Sequence, residues 1–126
     1  MYVTVPVRWL ITIAFATLVV VLSVTPGRDQ TDDSFFVWLV VNTPTLMQKL
    51  MHIAVYASLA FLLAWSLENI GPRPLRLVVA LLLAVGLGAG LEWYQTSVPG
   101  RFGTLVDVLL NAGGALMGLL VAAIVL

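Results

Sequence analysis

Four apolar stretches, each about as long as a bilayer is thick, take up most of this sequence: residues 7–25, 46–67, 75–97 and 104–126. A helix needs roughly 20 consecutive apolar residues to cross the hydrocarbon core. Within lipid every backbone N–H and C=O must be paired inside its own segment, so runs of this length fold as spanning helices. Turn and capping residues mark the breaks between them. Pro26-Gly27 follows the first run, Pro44 precedes the second, Pro74 and Pro99 bracket the third, and Gly103 or Thr104 caps the fourth. The sequence therefore predicts an all-α membrane protein. It is one domain over residues 1–126, a small bundle of four transmembrane helices with almost nothing outside the bilayer.

Composition supports lipid as the solvent. The 126 residues are 61% hydrophobic and only 10% charged, against about 25% charged in ordinary soluble domains, and the mean hydropathy is +1.08. A water-soluble fold of this size could not cover so much apolar surface. Basic and acidic residues balance at six each with no basic tract, so nucleic-acid binding has no electrostatic footprint. The absence of cysteine excludes disulfides, thiolate metal sites and cysteine nucleophiles. Arg8 ahead of an apolar run is the order of a signal peptide, but the run continues to about Val24 without a clean small-x-small site. It is expected to be retained as the first helix.

Between the first two runs lie Arg28, Asp29, Asp32 and Asp33, then the apolar segment 35–41, Phe35 to Val41. Seven residues cannot span, so this segment is expected to form a short interfacial helix, with Trp38 at headgroup level, or an ordinary loop helix packed on the bundle. Four spans put both termini on one side, together with Arg8, Arg73 and Arg76. The bias of basic residues toward the cytoplasm places both termini there, by a narrow margin.

Helix direction then gathers the polar residues. Lys49 and His52 open the second helix, Glu92 and Gln95 close the third, Arg101 sits in the following loop, and Asp107 and Asn111 open the fourth. All seven fall at the same end, the outer leaflet in this orientation. Lys49, His52 and Tyr56 are three and four apart and share a helix face, as do Glu92 with Gln95 and Asp107 with Asn111. Ionisable groups within a membrane cost about 3 kcal/mol on insertion scales, so Glu92 and Asp107 are expected to face the bundle interior. Eight of the ten glycines occur from Gly86 onward. Small residues let membrane helices approach closely, which predicts that the third and fourth helices pack through Gly88, Gly114 and Gly118 and hold Glu92 near Asp107. Arg101 as counter-charge would make the cluster either an ionic staple for the hairpin or a polar pocket that binds something. A His/Glu/Asp metal site is a minor alternative, but no tight ligand motif such as HExxH occurs, so no metal and no cofactor is expected.

These residues resemble the VanZ-like family of small bacterial membrane proteins, named for teicoplanin resistance. The likeness rests on Lys49, His52 and Tyr56 as Lys-x-x-His-x-x-x-Tyr, on Glu92 and Gln95 as Glu-x-x-Gln, and on the loop Pro99-Gly100-Arg101. Asp107 and Asn111, followed by Gly114 and Gly118, complete it. It covers Gln48 to Gly118 with order and spacing kept, and departs at Gln48, where the family usually carries an acid. The resemblance implies a multi-pass protein of the bacterial cytoplasmic membrane with a link to glycopeptide resistance.

Two classes of function follow. The leading expectation is a binding or shielding protein whose ligand is a lipid-linked cell-wall precursor or a lipoglycopeptide. The site would comprise Lys49, His52, Tyr56, Glu92, Gln95, Arg101, Asp107 and Asn111. The alternative is an intramembrane acid–base enzyme acting on an envelope lipid through His52, Glu92 and Asp107. Ser58, Ser66 and Ser97 form no triad pattern, and the absence of any nucleophile or metal motif weighs against catalysis. A structural subunit, or a transporter that would need a homo-oligomer to enclose a path, are further alternatives.

Overall fold

The computed structural model describes residues 3–24, 45–95 and 105–126. Segment 35–41 and Arg101 lie outside the described residues. Four helices account for nearly all of the rest: α1 Val5–Val24, α2 Thr45–Ser66, α3 Arg73–Gln95 and α4 Leu105–Val125. They hold 20, 22, 23 and 21 residues, which at about 1.5 Å per residue gives each the reach to cross a hydrocarbon core of about 30 Å. All four are apolar enough to do so. The protein is a multi-pass membrane protein built as an all-α bundle.

Two helices start earlier than the apolar runs suggest. α1 begins at Val5, with the Arg8 amide donating to the Thr4 carbonyl at 3.0 Å, and α3 begins at Arg73, with the Arg76 amide donating to the Pro72 carbonyl at 3.2 Å. Pro6 and Pro74 sit inside the first turns. Proline lacks only an amide that has no helical partner there, so it is accommodated and its φ is already helical. Between α2 and α3 the chain reverses through Gly71, whose φ of 66° is a left-handed conformation that glycine adopts without strain.

α2 and α3 form a pair against which both α1 and α4 pack. Small side chains supply much of the interior: Ala60, Ala64, Ala80, Ala84, Ala115 and Ala122 are buried beside Leu59, Leu63, Leu67 and Leu119, while Leu10, Leu82, Leu109, Leu120 and Ile124 face outward. In lipid, outward leucine carries no penalty, so helix association depends on close backbone approach rather than on hiding apolar area. The closest approach is between α2 and α4. A Cβ on Gly114 would collide with the Ile53 carbonyl, and one on Gly118 with the Ala57 carbonyl. This corrects the expectation that the glycines of α4 face α3. Gly114 and Gly118 continue the stripe that carries Asn111, and Asn111 binds His52 on α2. The third glycine, Gly88 on α3, faces both Tyr56 of α2 and Asn111 of α4.

One end of the bundle is tied by basic residues. Arg8 pairs with the Glu68 carboxylate, donates to the Trp65 carbonyl at 3.1 Å and stacks 5.1 Å from the centre of the Trp65 ring. Arg76 donates to the Glu68 carbonyl, and Arg73 to the Ala123 carbonyl near the end of α4. One turn deeper, the buried hydroxyls of Thr12 and Ser66 meet at 2.7 Å. Bonds of this kind contribute about 1 kcal/mol each, more where a charge takes part. They attach α1, the helix with least contact to α4, to the rest of the bundle.

Candidate functional site

The opposite end holds a second group of polar residues, drawn from the three C-terminal helices. α2 and α4 start there and α3 ends there, so the first turns of two helices face the last turns of the third. Trp93 and Tyr94, both exposed on α3, stand at this end, the position that aromatic residues favour at a membrane–water interface.

Along α2 burial deepens with each turn: Lys49 is exposed, His52 is half-buried and Tyr56 is 3% exposed. One helix face thus carries a cation at the rim, an imidazole below it and a phenol at the floor. From α3 comes Glu92, only 4% exposed, with Gly88 one turn below. From α4 come half-buried Asp107 and, one turn on, Asn111 at 1% exposure.

Three helices bring these groups into one cluster. His52 Nδ1 and Asn111 Oδ1 are 2.7 Å apart. An amide oxygen only accepts, so Nδ1–H is the donor, and in the neutral ring the lone pair is then on Nε2. His52, Glu92 and Asp107 each place a ligating atom within 4.8 Å of the other two. The Asn111 amide nitrogen is buried without a hydrogen-bond partner among the described residues. It fits because α3 has glycine opposite: a Cβ on Gly88 would lie 3.1 Å from that nitrogen and 3.0 Å from Tyr56 Cε1.

Of the eight residues expected to form the site, His52, Tyr56, Glu92, Asp107 and Asn111 converge in this way. Lys49 is exposed at the rim of this end, one turn before His52. Gln95 is the last residue of α3, with its side chain outside the described residues, as is Arg101. The sequence places His52, Glu92 and Asp107 together as acid–base candidates, and the structure brings one ligating atom of each within 4.8 Å of the others. No tight ligand motif marks them, because these three donors sit one to a helix. Sequence reasoning missed the Arg8–Glu68 pair at the far end, for which an acid just past a span and a base at the start of another was the available signal.

Chemically, the cluster offers an imidazole held in one tautomer, two carboxylates and a buried amide donor. Such a set can hold a cation, hydrogen-bond a headgroup, or pass a proton between imidazole and carboxylate. A family model described as VanZ/LLP1 matches residues 5–126, extending well beyond the motif-bearing segment to include α1. No curated protein and no solved structure is significantly similar to the chain. With nearly its whole length matched, from α1 through α4, the chain belongs to the VanZ/LLP1 family.

Proposed function

We propose that the protein binds an amphiphilic ligand of the bacterial envelope through this polar cluster. The ligand is a lipid-linked cell-wall precursor or a lipoglycopeptide such as teicoplanin, and binding shields or sequesters it. The cluster lies in the outer leaflet of the cytoplasmic membrane, with both termini cytoplasmic. Lys49, together with Arg101, supplies positive charge to a phosphate or carboxylate. Glu92, Asp107, Asn111, Tyr56 and Gln95 orient those cations and hydrogen-bond the headgroup. The acyl or isoprenyl chain lies along the apolar helix surfaces.

The observation that carries this reading is the meeting of His52, Glu92, Asp107 and Asn111 from three helices at one end of the bundle. Ionisable groups in a membrane are expensive to place, and a cluster of them drawn from three helices marks a functional site by default. The ligand class rests on the family likeness.

Expression in a teicoplanin-sensitive Gram-positive host tests it. Wild type is expected to raise the inhibitory concentration. Glu92→Gln, Arg101→Gln and Asp107→Asn, at matched membrane abundance, are expected to lose that protection. Equal protection by all four would make the cluster a structural staple, and no protection by wild type would remove the resistance role.

A second reading is favoured by one contact. The 2.7 Å bond between His52 and Asn111 fixes an imidazole beside a buried glutamate, the arrangement of an acid–base pair. Turnover of an envelope lipid by the purified protein, abolished in a folded His52→Gln variant, would establish it in place of simple binding.

A further inference from the structure

Two carboxylates and an imidazole converge from three helices at the site end, with one ligating atom of each inside a 4.8 Å span. Carboxylates this close repel one another, and the repulsion grows where water is scarce. Glu92 at 4% exposure is in such a place. A cation among them offsets that cost. Donors around a zinc-sized ion stand about 2.0–2.2 Å from it, hence roughly 3–4 Å from each other. Closing the observed span to that range takes side-chain movements of about 1 Å, within the reach of ordinary rotamer adjustment.

Two features of Asn111 point the same way. Its Oδ1 accepts from His52 Nδ1–H at 2.7 Å. Metal-bound histidines are held in this manner: an outer partner fixes the tautomer and leaves the other nitrogen free to ligate. Its Nδ2, nine-tenths buried or more with the rest of the residue, lacks an acceptor among the described residues. A water or anionic oxygen held on a neighbouring metal ion supplies the acceptor that this donor lacks.

We propose that His52, Glu92 and Asp107 form a binding site for a divalent transition-metal ion of the zinc type. One nitrogen and two oxygen donors leave at least one coordination position open to water or to an anionic oxygen. The imidazole disfavours magnesium and calcium, and the absence of sulfur disfavours cuprous ion. The three donors lie on three separate helices, which is why no short sequence motif announces them. The site does not depend on the identity of any headgroup ligand, and its test uses metal alone.

The test uses full-length protein without a polyhistidine tag, purified in mild detergent, stripped with chelator and titrated with Zn²⁺ and with Co²⁺. Metal content is read by elemental analysis, and Co²⁺ coordination by visible absorption. One ion per chain is expected. His52→Gln, Glu92→Gln and Asp107→Asn, each checked for helicity and monodispersity, are expected to weaken binding by roughly tenfold or more. Ser58→Ala, a lipid-facing position outside the cluster, is expected to leave it unchanged. Three independent ligand variants keep the test decisive if one of them fails to fold. Helical wild type that takes up neither ion, or equal affinity in all folded variants, would overturn the proposal.

Discussion

Gly118→Leu is expected to destabilise the folded bundle strongly, whereas Gly113→Leu on the same helix is expected to leave it intact. Both substitutions gain a little under about 1 kcal/mol of intrinsic helix propensity. They differ in what the new side chain meets. At Gly113 a Cβ finds nothing within 4 Å, while at Gly118 it lands on the Ala57 carbonyl of α2. An obstructing side chain can rotate away, but a helix backbone cannot. The α2–α4 crossing must therefore open along its length, releasing the Gly114–Ile53 seat as well. Overpacking of cores typically costs about 1–3 kcal/mol, and a clash with main chain stands at or above the upper end of that range. Set against a total stability of about 5–15 kcal/mol, this removes a large share of it and lowers the unfolding midpoint. Thermal unfolding followed by circular dichroism in mild detergent, with size-exclusion profiles, provides the comparison. Equal midpoints for Gly118→Leu and wild type would show that α2 and α4 do not meet at this crossing.

Asn111→Leu is expected to do the reverse, removing function while keeping the fold. Leucine nearly matches asparagine in shape and eliminates the orphaned amide nitrogen, relieving a desolvation cost of about 1–3 kcal/mol. It also leaves His52 Nδ1–H without its acceptor, a penalty of similar size and opposite sign. Stability should therefore move by no more than about 1 kcal/mol in either direction, on the same scale for each lost or relieved bond. The imidazole, no longer held in one tautomer, loses its fixed orientation toward Glu92 and Asp107. Protection of a teicoplanin-sensitive host should fall to the level of the empty vector at unchanged membrane abundance. Full protection by Asn111→Leu would place this residue outside the site.

Much of the fold could be read from run length alone, because lipid leaves a chain so apolar few options. Four spans of about 20 residues, alternating in direction, also bring the opening turns of α2 and α4 to the closing turns of α3. For that reason His52, Glu92, Asp107 and Asn111 could be named together before any contact was known. What could not be read was which helix each face meets. Gly114 and Gly118 follow α3 directly in sequence, and adjacency suggested α3 as their partner. Their register with Asn111 turns them toward α2 instead. One proline misled in a similar way. Pro74 looks like a boundary, yet first turns accept proline, so α3 begins before it. The Arg8–Glu68 pair depends on α1 docking beside the α2–α3 turn, a tertiary fact with no local spacing to announce it.

The account's central claim is that the polar end of the bundle is a ligand site and not only a staple. The most direct measurement is equilibrium binding of fluorescent teicoplanin, and of an isoprenyl-phosphate lipid, to the protein reconstituted in nanodiscs, comparing wild type with a Glu92→Gln, Asp107→Asn double variant. The account predicts saturable binding of at least one probe to wild type, weakened roughly tenfold or more in the double variant, as loss of charged hydrogen bonds worth about 1.5–3 kcal/mol each requires. Binding no stronger than to protein-free nanodiscs for both probes, or equal affinity in wild type and variant, would contradict it.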